Sequence, residues 1–599
     1  MSRQVPSSAI SAAALQTAMA PARVKVAGGL VGEAGSHDAL TRLTAAMSEL
    51  REMAIQPMLQ RAVSALEVDD FRTGGEWAIK ALDKDERSGF AWYLLGIARE
   101  RAGDFASSVS AYDAALKLLP DHAEVANNLG RLAYRMGMFE QSEKLFRHFL
   151  AKHPGHPEGA NNLSCVLREL NRAPEATEVL RSAIEQNPEY PVLWNGMGTV
   201  VADQGDFATA KIFFEEALRL DPIFPKARYN HGNALLALGD SAAALEACDG
   251  AIALVTGEDD RQMMRLARST ILLTLGRVGE GWDEYEARLH PQYAGVTQFA
   301  FDRPQWQPGD DLAGKSLLVF GEQGLGDEIL FANTLPDVID RLGPDGHLTI
   351  AVEKRLVPLF QRSFPQATVG AHQTYVYESR FIRVAPFVTE ADGVDLWTPI
   401  ASLLREFRRS AEDFPTSGAL MTPDPVRVAH WRKVLGEAPQ GPKIGLLWKS
   451  AIQKDSRLRY YSPFEAWTPV LTQPGAVFVN LQYGDCSEEL AFVKRELDIE
   501  IWTPPGIDLK QDLDDLAALC AAMDLVVGFS NATLNIAAAV GAPTLLVSTP
   551  DSWCRLGGGS AYPWYPNTQV FVPPAFREWG PAIEQVAEGV AEFIASAER

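Results

Sequence analysis

The chemistry in this sequence is concentrated in three segments: a carboxylate behind three glycines, a cluster of cations, and a run of small polar residues before a helix. The first reads Gly321-Glu322-Gln323-Gly324-Leu325-Gly326-Asp327-Glu328. Glycine lets the backbone approach a ligand closely, and a helix start offers unpaired N–H groups. The segment has no lysine after its glycines, so it is not a Walker A loop, and it is not a GxGxxG dinucleotide fingerprint. The alternative is a tight turn whose Asp327 caps its own helix. The second segment runs from Lys449 to Ser462 and carries Lys449, Lys454, Arg457 and Arg459 just after a strand end, where a phosphate would bind. A solvated basic patch is the competing reading. The third, Gly528 to Ala539, places Ser530, Asn531, Ala532, Thr533 and Asn535 between a buried strand and a helix, an anion-ready N-terminus or an N-capped packing helix.

These segments need a scaffold, and the second half of the chain supplies alternating strands and helices. Apolar β-rich runs occur at Ser316–Phe320, His347–Val352, Lys443–Trp448, Ala476–Leu481, Leu525–Gly528 and Pro543–Ser548. Strands joined through helices imply parallel sheets covered on both faces. The proline-rich stretch Phe414 to Pro425 divides them into two domains, 315–425 and 426–599. Ligands of such sheets lie beyond the strand carboxyl ends, so the cleft between the domains is the expected site.

The first half has a different grammar. Pro120, Pro154, Pro188 and Pro222 recur every 34 residues, with Gly96, Gly130, Gly198 and Gly232 on the same period and Ser164 in the vacant slot. That is the tetratricopeptide period, and an α-helical solenoid over 51–290 follows from it. Arg261 to Arg288 reads as a degenerate end repeat, and a proline- and aromatic-rich connector over 291–314 as a packed strap. Such a solenoid holds another chain. Asn128, Asn162 and Asn230 occupy equivalent repeat positions and could bond a guest backbone without regard to its sequence; packing between repeats is the equal alternative.

Composition narrows the partners. With a net charge of −22, nucleic acid and anionic membranes are excluded as main partners. The 5 cysteines show no CxxC spacing, so neither a zinc site nor a disulfide framework is expected, and a reducing cytoplasm fits. Ser8 to Ala20 only weakly imitates a signal peptide, and residues 1–50 read as a mobile tail. No apolar run reaches membrane-spanning length.

Taken in chain order, Glu280-Gly281-Trp282-Asp283-Glu284-Tyr285-Glu286-Ala287-Arg288, Glu322-Gln323-Gly324-Leu325-Gly326-Asp327, Ile444-Gly445-Leu446-Leu447-Trp448 and Pro563-Trp564-Tyr565-Pro566 resemble the bacterial tetratricopeptide-repeat glycosyltransferases. That group includes flagellin-modifying enzymes and is distantly similar to heptosyltransferases and to the eukaryotic O-GlcNAc transferase. The resemblance implies a GT-B fold of two Rossmann-like domains, a nucleotide sugar held mainly by the second, and no metal or other cofactor. It makes Asp327 the catalytic base. It assigns the donor to Gln323, Gly324, Gly326, Lys449, Arg457, Arg459, Gln482, Ser530, Asn531, Ala532, Thr533 and Asn535, and the protein acceptor, flagellin or another chain, to the repeats at Asn128, Asn162 and Asn230. Many relatives read DTSxAHLAG where this chain has Ser530 for the aspartate and Asn535 for the histidine. Loss of both ionisable groups suits a CMP-linked nonulosonic acid such as pseudaminic acid, whose own carboxylate prefers a less negative pocket. A repeat scaffold or flagellin chaperone with a vestigial transferase, and a polysaccharide or lipid glycosyltransferase, are the alternatives.

Overall fold

The computed structural model describes residues 34–377, 380–450, 457 and 459–597. The signal-like segment Ser8–Ala20 and Lys454 of the basic loop lie outside them. The chain divides into two compact units, Met1–Val200 and Val201–Arg599.

The first unit is built of antiparallel helix pairs such as Gly89–Arg101 with Phe105–Leu118 and Ala123–Arg135 with Phe139–Lys152. The 34-residue register has two physical causes. The turn within each pair needs a left-handed residue, supplied by Gly103 (φ 83°), Gly137 (φ 75°) and Asn171 (φ 57°). Close helix approach needs a missing side chain: a Cβ on Gly96 would sit 2.5 Å from the Tyr112 ring. Asp70 and Asp104 cap the helices that follow them, accepting from the Thr73 and Ser107 N–H groups. The expected tail is shorter than residues 1–50, because the helix Ala34–Glu67 begins inside it. Its residues are mostly good helix formers, and Ile55, Leu59, Ala62 and Leu66 are buried in the first repeat's core.

The second unit opens with further pairs, Phe207–Leu220 with Pro225–Ala237, Ser241–Leu254 with Glu258–Thr274, and then Val278–Tyr285. The last helices are not a free cap. Leu273, Val278 and Trp282 share one core with Trp306, Leu317, Phe331 and Trp564, so the sheet region covers the apolar face that a terminal repeat would otherwise expose.

The strands of this unit, in chain order, are β1 Thr297–Phe299, β2 Ser316–Phe320, β3 His347–Val352, β4 Thr368–Ala371, β5 Gln373–Tyr377, β6 Arg380–Val384, β7 Leu396–Pro399, β8 Lys443–Leu447, β9 Val477–Asn480, β10 Leu525–Phe529, β11 Thr544–Val547 and β12 Thr568–Phe571. They form two parallel sheets, ordered β4-β3-β2-β7 and β12-β11-β10-β8-β9, with helices packed against both. This is an α/β architecture. A third sheet, β1-β6-β5, contains an antiparallel hairpin that the sequence reading does not anticipate. The 291–314 segment is accordingly part of the α/β body as well as a strap: it donates β1, buries Trp306, and bonds β7 through Trp306 N–H to Trp397 O at 2.8 Å.

Candidate functional site

Each parallel sheet reverses its winding direction once. In the first, β2 continues to β3 and β4 on one side and meets β7 on the other; in the second, β8 meets β9 on one side and β10 on the other. A crevice opens beyond the strand carboxyl ends where neighbouring connections depart to opposite faces. The loops after β2, β8 and β10 leave from these places, which brings together the three segments singled out by residue type.

After β2 the chain turns sharply and enters the helix Leu325–Phe331. Gln323 is held at φ 63°, a left-handed conformation that costs a residue with a side chain about 1–3 kcal/mol. Asp327 N–H donates to Gly324 O at 3.0 Å, and Asp327 Oδ2 accepts from Gly324 N–H at 3.1 Å. Asp327 therefore does cap its helix. It also lines a cavity of about 220 Å³, together with Gln323, Ser269, Thr270, Leu273, Trp282, Tyr285 and Trp553. Burial pushes the Asp327 carboxyl up to about 6; the Gly324 N–H opposes this, the Glu322 and Glu328 charges add to it, and Arg457 partly offsets it. The result is a carboxylate that is ionised at neutral pH and more basic than an ordinary aspartate.

The strained loop is held by two buried charges. Arg288 Nε and Nη2 donate to Glu322 Oε2 and Oε1, both at 2.8 Å, and both side chains are 4% exposed. Arg288 Nη2 also donates to Ser402 Oγ at 2.9 Å and Nη1 to Glu286 Oε1 at 2.6 Å, while Ala401 N–H donates to Glu322 Oε1 at 2.9 Å. On the far side Glu328 accepts from Glu353 N–H at 2.8 Å and pairs with His372 at 2.9 Å, and Arg383 Nη1 donates to Gly321 O at 2.5 Å. Trp282, Tyr285, Arg288 and Trp553 escaped the site list drawn from the sequence. The signal was present for three of them: positions 282, 285 and 288 are three apart, so they share one helical face pointing at this loop.

The remaining candidates divide. Asn535 Nδ2 donates to Gly326 O at 3.2 Å, so the helix Ala532–Ala539 begins directly against the Asp327 loop. Asn531 caps that helix, accepting from Leu534 N–H at 3.1 Å; Ser530 is exposed at its mouth and Thr533 is buried. Arg457 is exposed and close enough to act on Asp327. The other second-sheet candidates have partners within the fold. Lys449 is half-buried in an ion pair with Glu489. Gln482 accepts from Trp448 and Lys449 N–H at 3.0 Å each and donates to Lys449 O and Tyr483 O, so its amide shapes the loop rather than facing a ligand. Arg459 Nη1 donates to Ala202 O at 2.9 Å and lies over the rings of Phe207 and Tyr460, fastening a repeat turn. An arginine long enough to reach a phosphate is also long enough to reach a carbonyl, and residue type alone does not separate the two.

The asparagines of the first unit also take the packing role. Asn128 (8% exposed) donates from Nδ2 to Tyr93 OH at 2.9 Å and accepts from Arg131 at 3.0 Å; Asn162 (5% exposed) donates to Asn127 Oδ1 at 3.3 Å. The bonds to Tyr93 and Asn127 join one repeat to the next, and the bond from Arg131 lies within one helix. Asn230, in the second unit, is half-buried.

Among the described residues no helix is long and apolar enough to cross a membrane, and no group of His, Cys, Asp and Glu side chains is arranged to hold a metal ion. Tetratricopeptide-repeat family models match residues 59–123, 101–164 and 195–259. Over 566 residues the chain is 50% identical to protein FlbA of Caulobacter vibrioides, covering 94% of this chain and 95% of the other. Two solved repeat proteins align with parts of it. One, from Thermus thermophilus, is 22% identical over 31% of this chain and 100% of its own, with a TM-score of 0.28; another, from Parabacteroides merdae, is 14% identical over 39% and 91%, with a TM-score of 0.35.

Proposed function

The chain belongs to the protein family of Caulobacter vibrioides FlbA, and within that family we propose that it is a metal-independent protein O-glycosyltransferase of the GT-B type. Its repeats capture flagellin in the cytoplasm, and its sheet region transfers a nonulosonic acid from a CMP-sugar to serine or threonine. The observation that carries this reading is Asp327: a carboxylate raised to about 6, on a strained loop at the switch point of a parallel sheet, facing a cavity. A serine or threonine hydroxyl is a poor nucleophile until a base takes its proton. Asp327 removes that proton as the hydroxyl oxygen bonds to the anomeric carbon, the bond from that carbon to the phosphate oxygen breaks, and CMP leaves with the electron pair. Arg457 and the N–H groups at the start of Ala532–Ala539 stabilise the departing phosphate. The segment 530–535 carries no ionisable side chain, which favours an acidic sugar over repelling it. The choice of flagellin rests on the resemblance of the EGWxxYExR, EQGLGD and PWYP words to flagellin-modifying enzymes.

A second reading has its own support. Lys449 and Arg459 are engaged in the fold, and Asp327 is a helix cap, as in a repeat scaffold or flagellin chaperone whose transferase is vestigial. Intact-mass analysis of flagellin incubated with the purified protein and a CMP-nonulosonate separates the two. The transferase reading expects a mass increase per site that is absent with Asp327→Asn; no increase, with Asp327→Asn behaving as wild type in cells, leaves the scaffold. Altered lipopolysaccharide beside unmodified flagellin would transfer the activity to a glycan acceptor.

A further inference from the structure

The helix Ala34–Glu67 is 34 residues long, but only its second half packs on the repeats, through Ile55, Leu59, Ala62 and Leu66. The half before Ile55 turns Met47, Leu50 and Met53 outward, 46%, 65% and 67% exposed. A terminal repeat keeps a solenoid soluble by presenting a polar outer face. Three large apolar side chains on successive turns do the opposite, and such a patch marks a surface that another chain covers.

The spacing identifies the cover. Met47, Leu50 and Ala54 are three and four residues apart, and the sequence carries the same alternation back to Leu43 and Leu40. These are the a and d positions of a coiled coil, in which the seam of one helix receives the seam of another. The seam lies about a quarter of a turn round the helix from Ile55, so it is distinct from the stripe that meets the first repeat. Its flanking positions between 39 and 54 are Ala39, Thr44, Ala46, Arg51 and Met53, while Glu49 and Glu52 fall on outer positions. In a chain with a net charge of −22 two copies repel each other, yet no carboxylate flanks this seam.

We propose that this seam is a homodimer interface, on which a second copy of the chain lays the same helix antiparallel about a two-fold axis near residue 46. A two-fold contact needs a self-complementary face, and a repeated a and d pattern is one. The antiparallel sense follows from where the seam stops. The helix runs on into the first repeat at Ile55, so a parallel pair would bring two acidic chains abreast at that end. An antiparallel pair sends them away from opposite ends of a seam about 21 Å long. It also sets Ala46 against the second copy's Ala46 and Met53 opposite position 39, an alanine, so no two large residues collide on the flanks. The pairing is independent of the transferase reading and holds whether the sheet region is active or vestigial.

The test is light scattering from the purified full chain over a concentration series. A species of twice the 65.5 kDa chain mass is expected, and raising the salt should strengthen it by screening the repulsion between the two chains. Leu50→Glu changes an exposed side chain, so circular dichroism should stay as in wild type while the dimer Kd rises at least about 100-fold, the charge entering both halves of the seam. A short bismaleimide should link two copies of Ala46→Cys and not of Ala54→Cys, with wild type giving the background from the native cysteines. A monomer at every concentration, or a dimer that Leu50→Glu leaves intact, overturns the interface. A link through position 54 in place of 46 overturns the antiparallel pairing.

Discussion

The loops after β2 and after β8 leave comparable ends of two parallel sheets, yet they use their charges differently. In the first, the charged groups at its base are already bonded, Arg288 to Glu322 and Glu328 to the His372 ring, and these contacts hold Asp327 at the wall of a cavity. In the second, two of the described cations are taken up by the fold, Lys449 pairing with Glu489 and Arg459 fastening Ala202 and Asp203, while Arg457 stays exposed. The difference separates a loop that presents a group from a loop that anchors a neighbour. Local charge density does not report function here; what matters is whether the charge has already found its partner.

The sharpest way to break this contrast is Asp327→Asn. The amide can still accept from Gly324 N–H, so the helix cap survives, while the proton acceptor is lost. A fall in transfer rate of about 10²- to 10⁴-fold is expected, the usual worth of a general base. Because burial raises the Asp327 carboxyl to about 6, the folded protein is disfavoured by its ionisation at pH above that value and relieved as the pH falls. The neutral variant should therefore be at least as stable as wild type at pH 7 by urea unfolding. The wild-type rate should rise with pH through an apparent pKa near 6, since the ionised form is the active one. A wild-type rate in the variant would reduce Asp327 to a cap.

Next in size is the support of that loop. Arg288→Ala leaves Glu322 buried without its cation and should cost about 3–5 kcal/mol in unfolding free energy. A double-mutant cycle with Glu322→Ala should recover part of that loss; strict additivity would mean that the two residues act independently.

The smallest expected effects lie in the second loop. Arg459→Ala should lose about 1.5–3 kcal/mol of stability through its hydrogen bond to Ala202 O and its ring contacts, leaving the donor KM within about twofold. Lys449→Ala should cost no more than about 1 kcal/mol if the lysine serves only Glu489. A donor KM raised tenfold or more by Lys449→Ala would show that the lysine leaves Glu489 for the phosphate, and would close the gap between the two loops.

Several elements are visible in the chain itself. The repeats are, because one contact geometry recurs: a left-handed residue at 103, 137 and 171, a small residue under an aromatic ring, an aspartate before a helix. β2, β3 and β8 to β11 are, because a strand buried on both faces must be a continuous apolar run. The sequence reading leaves out β1, β4, β7, β12 and the β5–β6 hairpin. Gly370 in β4 and Pro399 in β7 read as breakers, and the hairpin strands are largely exposed and carry no tight-turn signature.

Residue type and spacing, then, were enough to determine a tetratricopeptide solenoid and a following α/β region, since these rest on periodicity; Asp327 is singled out as a base only by what the resemblance implies. Tertiary structure alone decided which charges are available. Whether Arg459 meets a phosphate or Ala202 and whether Asn128 meets a guest or Tyr93 depend on partners far away in the chain or in another helix, which local sequence does not encode. The same long-range packing that joins Arg288 to Glu322 built the cavity at Asp327 and raised its carboxyl, because burial is a property of the assembled core and not of any one segment.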